Sequence, residues 1–410
     1  MRKKRGGWDQ RFGYVGSMVA RDPAGSRRPR VMLHAVSVGE VNALRTLVPL
    51  LAQKADVVVS TTTDTGLTRA RSLYGEAEGV EVVRYPLDCS WMVRRFLDTV
   101  RPDVVGLVEL EVWPNFIKAC TQRGIPVGLI NGRLSARSYK GYRRLRPLLR
   151  PTFRRLAFAC VQDRDYAQRI GAMGVPADRV SITGSMKWDS VDPGRHEGPS
   201  AKALQIAADM GVDLDRPIVV AGSTGPGEEA MLHGAVASDV QLIAAPRKVE
   251  RFDEAAAAMP GCVRRSRSES KPGAKRFLLD TIGELSSVYE LADVVVIGRS
   301  FGDLYGSDPI EPAAMGKAVL IGPAHSDFQR IIEPLKAAGG IAVIEPPDLA
   351  SPIAGLLSDA SRRQEMGERA RDCVRAQQGA SARHLEVLMR HCPADAPGSG
   401  KRPEVGMDRG

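Results

Sequence analysis

Short runs of β-branched and aliphatic residues recur along the chain, each followed by a longer stretch in which apolar positions fall three and four apart. The first pattern is that of a buried strand and the second that of an amphipathic helix, so parallel sheets flanked by helices are predicted. Strands are expected over residues 31–35, 56–60, 80–85, 104–107, 126–130, 157–161 and 180–183. A second series is expected over 218–221, 241–244, 277–279, 294–297, 319–321 and 341–344. Between them, residues 189–198 turn to Asp, Pro, Gly, Arg and His, a linker composition. The pattern predicts fold class α/β: a segment 1–30, a first domain 31–190, a linker 191–214, a second domain 215–392 and a disordered tail 393–410.

A length of 410 residues suits two such domains, and 43% hydrophobic with 26% charged residues is a globular mixture. No run approaches the ~18 apolar residues that cross a bilayer, and no apolar segment follows the basic start Met1-Arg2-Lys3-Lys4-Arg5, so neither a spanning helix nor a secretory signal is expected. The six cysteines are scattered without a C-x-x-C pair, which argues against a zinc knuckle or disulfide framework and fits a reducing compartment.

The net charge of +10 is concentrated. Residues 1–30 hold nine Lys/Arg against Asp9 and Asp22, residues 133–155 hold nine and no acid, and the remainder is net acidic. Such zones suit a polyanion, whether nucleic acid, an anionic membrane face or a phosphorylated lipid; a solvated helix face explains either zone equally well.

Ligands of open parallel sheets bind beyond the carboxyl ends of the strands, so the residues after each strand are the ones that carry chemistry. After the first strand, His34-Ala35-Val36-Ser37-Val38-Gly39-Glu40 enters a helix. Glu40 there is either a dipole-stabilising carboxylate or a base. Glu109 and Glu111 precede Trp113 and Pro114 at another strand end, a costly set to bury unless it works or holds the Trp loop. Asn131-Gly132-Arg133 opens the second basic zone, and Lys187 stands before Trp188 and Asp189, either holding an anion or lying on the surface. In the second half, the small-residue loop 221–229 is an anion cradle candidate but neither a Walker loop nor a G-x-G-x-x-G fingerprint. Arg247, residues 280–284 and residues 306–317 follow later strands, with Glu311 placed to bridge ribose hydroxyls. No metal-ligand spacing and no nucleophile signature is present, and the six histidines are scattered singly.

Taken together, in this order, these motifs resemble the 3-deoxy-D-manno-octulosonic acid (Kdo) transferase family, from Trp8 to Ile344. The resemblance implies two Rossmann-like domains facing across a cleft, a GT-B type glycosyltransferase fold. It implies inverting transfer of Kdo from CMP-Kdo to a phosphorylated lipid A precursor (lipid IVA) at the cytoplasmic face of the inner membrane, with no metal and no other cofactor. It makes Glu40 the base that deprotonates the acceptor hydroxyl and places Glu109, Glu111 and Lys187 on the acceptor side. Donor contacts are expected from Ser223, Arg247, Ile282, Gly283, Glu284, Asp308, Ile310 and Glu311, with CMP leaving against Arg247 and helix N-termini. This chain departs from the family pattern at Gly225, Lys248 and Ser307, where family members carry histidine.

The family's membrane anchor is not seen ahead of Arg5, which reads as either a short start or a peripheral protein. Because a lipid acceptor has to be met at the bilayer, docking is expected: the cations of 1–30 and 133–155 on an anionic surface, with Trp8, Phe12, Tyr14, Tyr139, Tyr142 and Phe153 at headgroup level. Two other functions share these features: another nucleotide-sugar transferase or epimerase of the same plan, and a nucleic-acid-binding protein using the basic zones. The second lacks an RNP-like or helix-turn-helix context, and nucleic acid is not expected as a partner.

Overall fold

The computed structural model describes residues 6–16, 18, 28–194, 198–267 and 270–393. It divides into two compact units, residues 1–190 with 378–410, and residues 191–377. The expected disordered tail, apart from residue 393, and much of the basic segment 1–30 lie outside the described residues.

The first unit is a seven-stranded parallel sheet of β1 (Arg30–His34), β2 (Asp56–Thr61), β3 (Val80–Arg84), β4 (Val104–Val108), β5 (Val127–Gly132), β6 (Phe158–Val161) and β7 (Val180–Ile182). Its order is β3-β2-β1-β4-β5-β6-β7, so the chain reverses direction across the sheet between β1 and β4. The middle strands are buried on both faces, as a parallel sheet covered by helices requires. Phe96, Phe116 and Phe153 fill one side and Leu33, Leu47 and Val59 the other.

The second unit repeats the plan with β8 (Ile218–Thr224), β9 (Gln241–Pro246), β10 (Val263–Arg264), β11 (Arg276–Leu278), β12 (Val294–Ile297), β13 (Ala318–Ile321) and β14 (Ile341–Val343) in the order β10-β11-β9-β8-β12-β13-β14. Both units are Rossmann-like α/β layers. The two-residue edge strand β10 was not expected; it is too short to show any alternation in the sequence.

Two boundaries differ from the sequence reading. Residues 191–214 are not a bare linker: Ala201–Met210 is a helix capped by Ser200, packed in the second unit. At the other end, helix Ala380–Arg390 belongs to the first unit rather than the second. Two contacts fasten it. Asp189 accepts the backbone N–H of Gly379 at 2.7 Å and of Ser381 at 2.5 Å. The buried His384 accepts the Asn131 N–H at 2.8 Å through Nε2.

The basic zones also differ from expectation. Of the three described cations near the amino terminus, Arg28 is exposed, but Arg11 is buried beside Asp64 and Arg30 is buried within β1, where it donates to the Val100 carbonyl. The latter two are internal groups rather than surface charges. In the second zone, helix Ala136–Arg144 buries no residue, and Arg146–Arg154 buries only Thr152 and Phe153. Phe153 is thus a core residue, fully buried, and Tyr139 and Tyr142 pack against the same core; the exposed apolar side chains are Leu145 and Leu148.

Candidate active site

β1 ends at His34, and the turn that follows enters the short helix Val38–Ala43. Ser37 caps that helix in extended conformation and Glu40 completes a reciprocal box. The Glu40 Oε2 accepts the Val36 N–H and its Oε1 accepts the Ser37 hydroxyl, both at 2.8 Å. Glu40 is therefore a helix-start carboxylate held in one rotamer. Its proton affinity is nonetheless raised, because burial and the charge of Glu109 outweigh those two hydrogen bonds. A fixed carboxylate with raised proton affinity is what a base needs.

The neighbouring strand β4 supplies the rest. Glu109 follows its last residue at φ 57°, a left-handed conformation uncommon outside glycine, and turns the chain sharply. Glu111 comes next, its Oε2 accepting the indole N–H of Trp113 at 2.9 Å. Burial, then the charges of Glu40 and Glu109, push Glu111 up to about 7. Tyr142, from the basic helix, is raised by burial and by Glu111. The structure thus brings Glu40, Glu109 and Glu111 together where the sheet reverses its order, and adds Tyr142, which the sequence reading had placed at headgroup level.

Below this cluster lies a rigid aromatic floor. The His34 ring stacks on Tyr85 at 3.7 Å between centroids, with Nδ1 3.0 Å from the Ser60 hydroxyl. Burial lowers His34 to about 3, so it is a neutral support. Trp113, Phe96 and Phe116 close around Tyr85. Lys187 is half-buried in a turn tied to β5, since the Asn131 side-chain oxygen accepts the Met186 N–H at 3.1 Å. Sequence reasoning passed over Asn131 and His384 as carriers of the site. Their only signal was the Asn-Gly at a strand end.

In the second unit, the residues expected on the donor side lie at or after the carboxyl ends of β8, β9, β11 and β12, though not all as expected. The loop 221–229 does not leave its backbone donors open. Glu228 bends back so that one carboxylate accepts four N–H groups: Gly225 at 2.7 Å, Arg299 at 2.6 Å, Ser300 at 2.9 Å and Phe301 at 3.1 Å. The chain fills its own anion cradle. Glu229, also buried, accepts Arg251 through two bonds of 3.0 and 2.9 Å.

Arg247 is exposed at the end of β9, and its charge reaches the buried Tyr289, as do those of Glu311 and Asp308. Glu311 is half-buried, and among the described residues no donor is bonded to its carboxylate. Asp308 accepts the Ile310 N–H at 3.0 Å ahead of the next helix, while the Ile310 side chain is buried; Ile310 is a framework residue. The 280–284 loop is pinned from beneath. Asp280 accepts Arg264, and Glu284 accepts Thr281 and Arg265. Gly283 takes φ 88°, which leaves Ile282 70% exposed, an apolar platform on a fixed loop. Ser223, half-buried at φ 58°, ends β8. Among the described residues no group of three or more His, Cys, Asp or Glu side chains is placed to hold a metal ion.

Two Rossmann-like units of this kind are the fold of GT-B glycosyltransferases. A glycosyltransferase structure from Rickettsia africae matches with a TM-score of 0.61 at 13% identity, covering 89% of this chain and 98% of that one. The family model "3-Deoxy-D-manno-octulosonic-acid transferase (kdotransferase)" matches residues 6–190. The 3-deoxy-D-manno-octulosonic acid transferase of Bordetella pertussis is 33% identical over 94% of this chain and 93% of its own length; that of Haemophilus influenzae is 29% identical over 92% and 90%. The chain belongs to the Kdo transferase family.

Proposed function

We propose that the protein transfers Kdo from CMP-Kdo to a phosphorylated lipid A precursor with inversion at the anomeric carbon. The observation that carries this reading is Glu40, a carboxylate of raised proton affinity locked by Val36 and Ser37 next to two further acids. Glu40 takes the proton of the acceptor hydroxyl as its oxygen attacks the anomeric carbon, and CMP departs from the opposite face. Glu109 keeps Glu40 basic by placing negative charge beside it. On the donor side, Glu311 accepts the ribose hydroxyls, Ile282 backs the base and Arg247 meets the leaving phosphate.

The acceptor is a membrane lipid, so the enzyme docks at a bilayer. Among the described residues no helix is long and apolar enough to span one. The helices Ala136–Arg144 and Arg146–Arg154 support surface attachment, since arginines surround the exposed Leu145 and Leu148. Each such cation contributes on the order of 1 kcal/mol on an anionic leaflet.

Thermal shift with CMP and UDP tests the donor class: CMP raises the melting temperature, and a preference for UDP would move the reading to another nucleotide-sugar enzyme.

A further inference from the structure

The second sheet reverses its strand order between β8 and β12, the place where an open α/β sheet binds its ligand. Two non-glycine residues stand there in the left-handed region, Ser223 and Arg299, both at φ 58°. An arginine keeps that conformation only where its surroundings impose it. Here they do. The Glu228 carboxylate holds the Arg299 N–H at 2.6 Å, and the Arg299 carbonyl accepts the Gly306 N–H at 2.8 Å. The arginine stem packs beside Gly225, where a Cβ would meet Leu304 Cδ1 at 2.7 Å and touch the Arg299 Cγ at 3.4 Å.

The guanidinium is tethered lightly. Its one hydrogen bond runs from Nη2 to the Leu304 carbonyl at 3.3 Å, and among the described residues no carboxylate lies within ion-pairing distance. Arg247 reaches the same turn from the other side of β8, its N–H donating to the Thr224 carbonyl at 3.1 Å. Two arginines with no carboxylate partner among the described residues therefore stand on either side of one strand end. Four backbone donors of the loops after β8 and β12, those of Gly225, Arg299, Ser300 and Phe301, are already spent on Glu228. An anionic ligand there meets side chains in their place.

We infer that Arg299 is a second cationic ligand for the donor, sharing its anionic groups with Arg247. The ligand class is a nucleoside monophosphate joined to an acidic sugar, whose phosphodiester and carboxylate give one anion to each arginine. The inference rests on the donor reading above and adds a residue to it.

Calorimetric titration with CMP and steady-state kinetics with CMP-Kdo test it on the full chain, using Arg299→Gly, Arg299→Lys and Arg247→Ala. Arg299→Gly should weaken CMP binding or raise the donor KM roughly 10- to 100-fold. It should not lower the melting temperature, since glycine takes φ 58° freely. Arg299→Lys should recover part of the loss. Wild-type affinity and KM in Arg299→Gly would overturn the role of Arg299 while leaving the donor reading intact. So would a fall in melting temperature with affinity retained, the mark of a framework residue. A wild-type protein that does not bind CMP would overturn the donor reading itself.

Discussion

Glu111 stands close enough to Glu40 that the charge of Glu40, after burial, helps hold the Glu111 proton up to about 7, while the Trp113 indole fixes the carboxylate at 2.9 Å. The two acids come from the ends of adjacent strands, β1 and β4, at the reversal of the sheet. The charge of Glu40 makes Glu111 harder to ionise, as that of Glu109 does Glu40, and that coupling is the chemical content of the cluster.

Glu40→Gln should lower turnover by ~10²–10⁴ while CMP binding is unchanged. Single-turnover rates with saturating donor check this. Near-wild-type transfer by the variant would remove Glu40 from the mechanism.

The pH profile follows from the same cluster. Activity of the wild type should rise with pH as the cluster loses its protons. Glu109→Gln removes a negative charge beside Glu40, so the Glu40 proton is held less tightly and the rising limb of kcat/KM moves to lower pH. A limb that stays in place would show that the acids act independently.

Stability gives a third check with a definite sign. The folded Glu111 value, about 7, lies above that of an unfolded carboxyl. The stability it contributes is therefore full in acid and lost as pH rises through 7. Near pH ~8, Glu111→Gln should melt a few degrees above wild type, on the order of 1–2 kcal/mol after allowing for solvent screening, and near pH ~4 the two should coincide.

His384 works in the opposite sense. Burial lowers it to about 4, so between its unfolded value of 6.5 and 4 the unfolded chain binds the extra proton, and stability of the first unit falls as pH drops through that window. His384→Ala leaves the buried Asn131 N–H without its acceptor and should cost ~1–3 kcal/mol. Thermal melts across the acid range measure both effects; a variant as stable as wild type near neutral pH would deny the helix Ala380–Arg390 its role.

Most strands could be read from the sequence because a parallel sheet buried on both faces leaves runs such as Val57-Val58-Val59 and Val294-Val295-Val296 with no polar break. The carboxylates after β1 and β4 were legible for the related reason that strand ends carry ligands. What the sequence hid was tertiary. Nothing in the periodicity of residues 380–390 says which unit they cover; that depends on His384 meeting Asn131, more than two hundred residues away. Phe153 and Leu148 share one basic stretch, and only the packing of the helix decides that Phe153 faces the core and Leu148 faces out. The small-residue run at the end of β8 has the composition of an anion cradle, yet the Gly225 N–H that follows it is taken by Glu228.

Replacing Leu145 and Leu148 with Ser, or Arg143, Arg144 and Arg146 with Glu, should weaken co-sedimentation with anionic vesicles at low salt, and high salt should release the wild type. Binding that is unaffected by either set would place the docking surface elsewhere.

Transfer itself is the most direct measurement. The protein is incubated with a CMP-Kdo regenerating system and tetra-acylated lipid A precursor, and the lipid is read by mass spectrometry beside a Glu40→Gln control. The predicted result is a lipid heavier by Kdo with the wild type and very little with the variant. An unchanged lipid from folded protein that binds CMP, or equal product from the variant, would contradict the account.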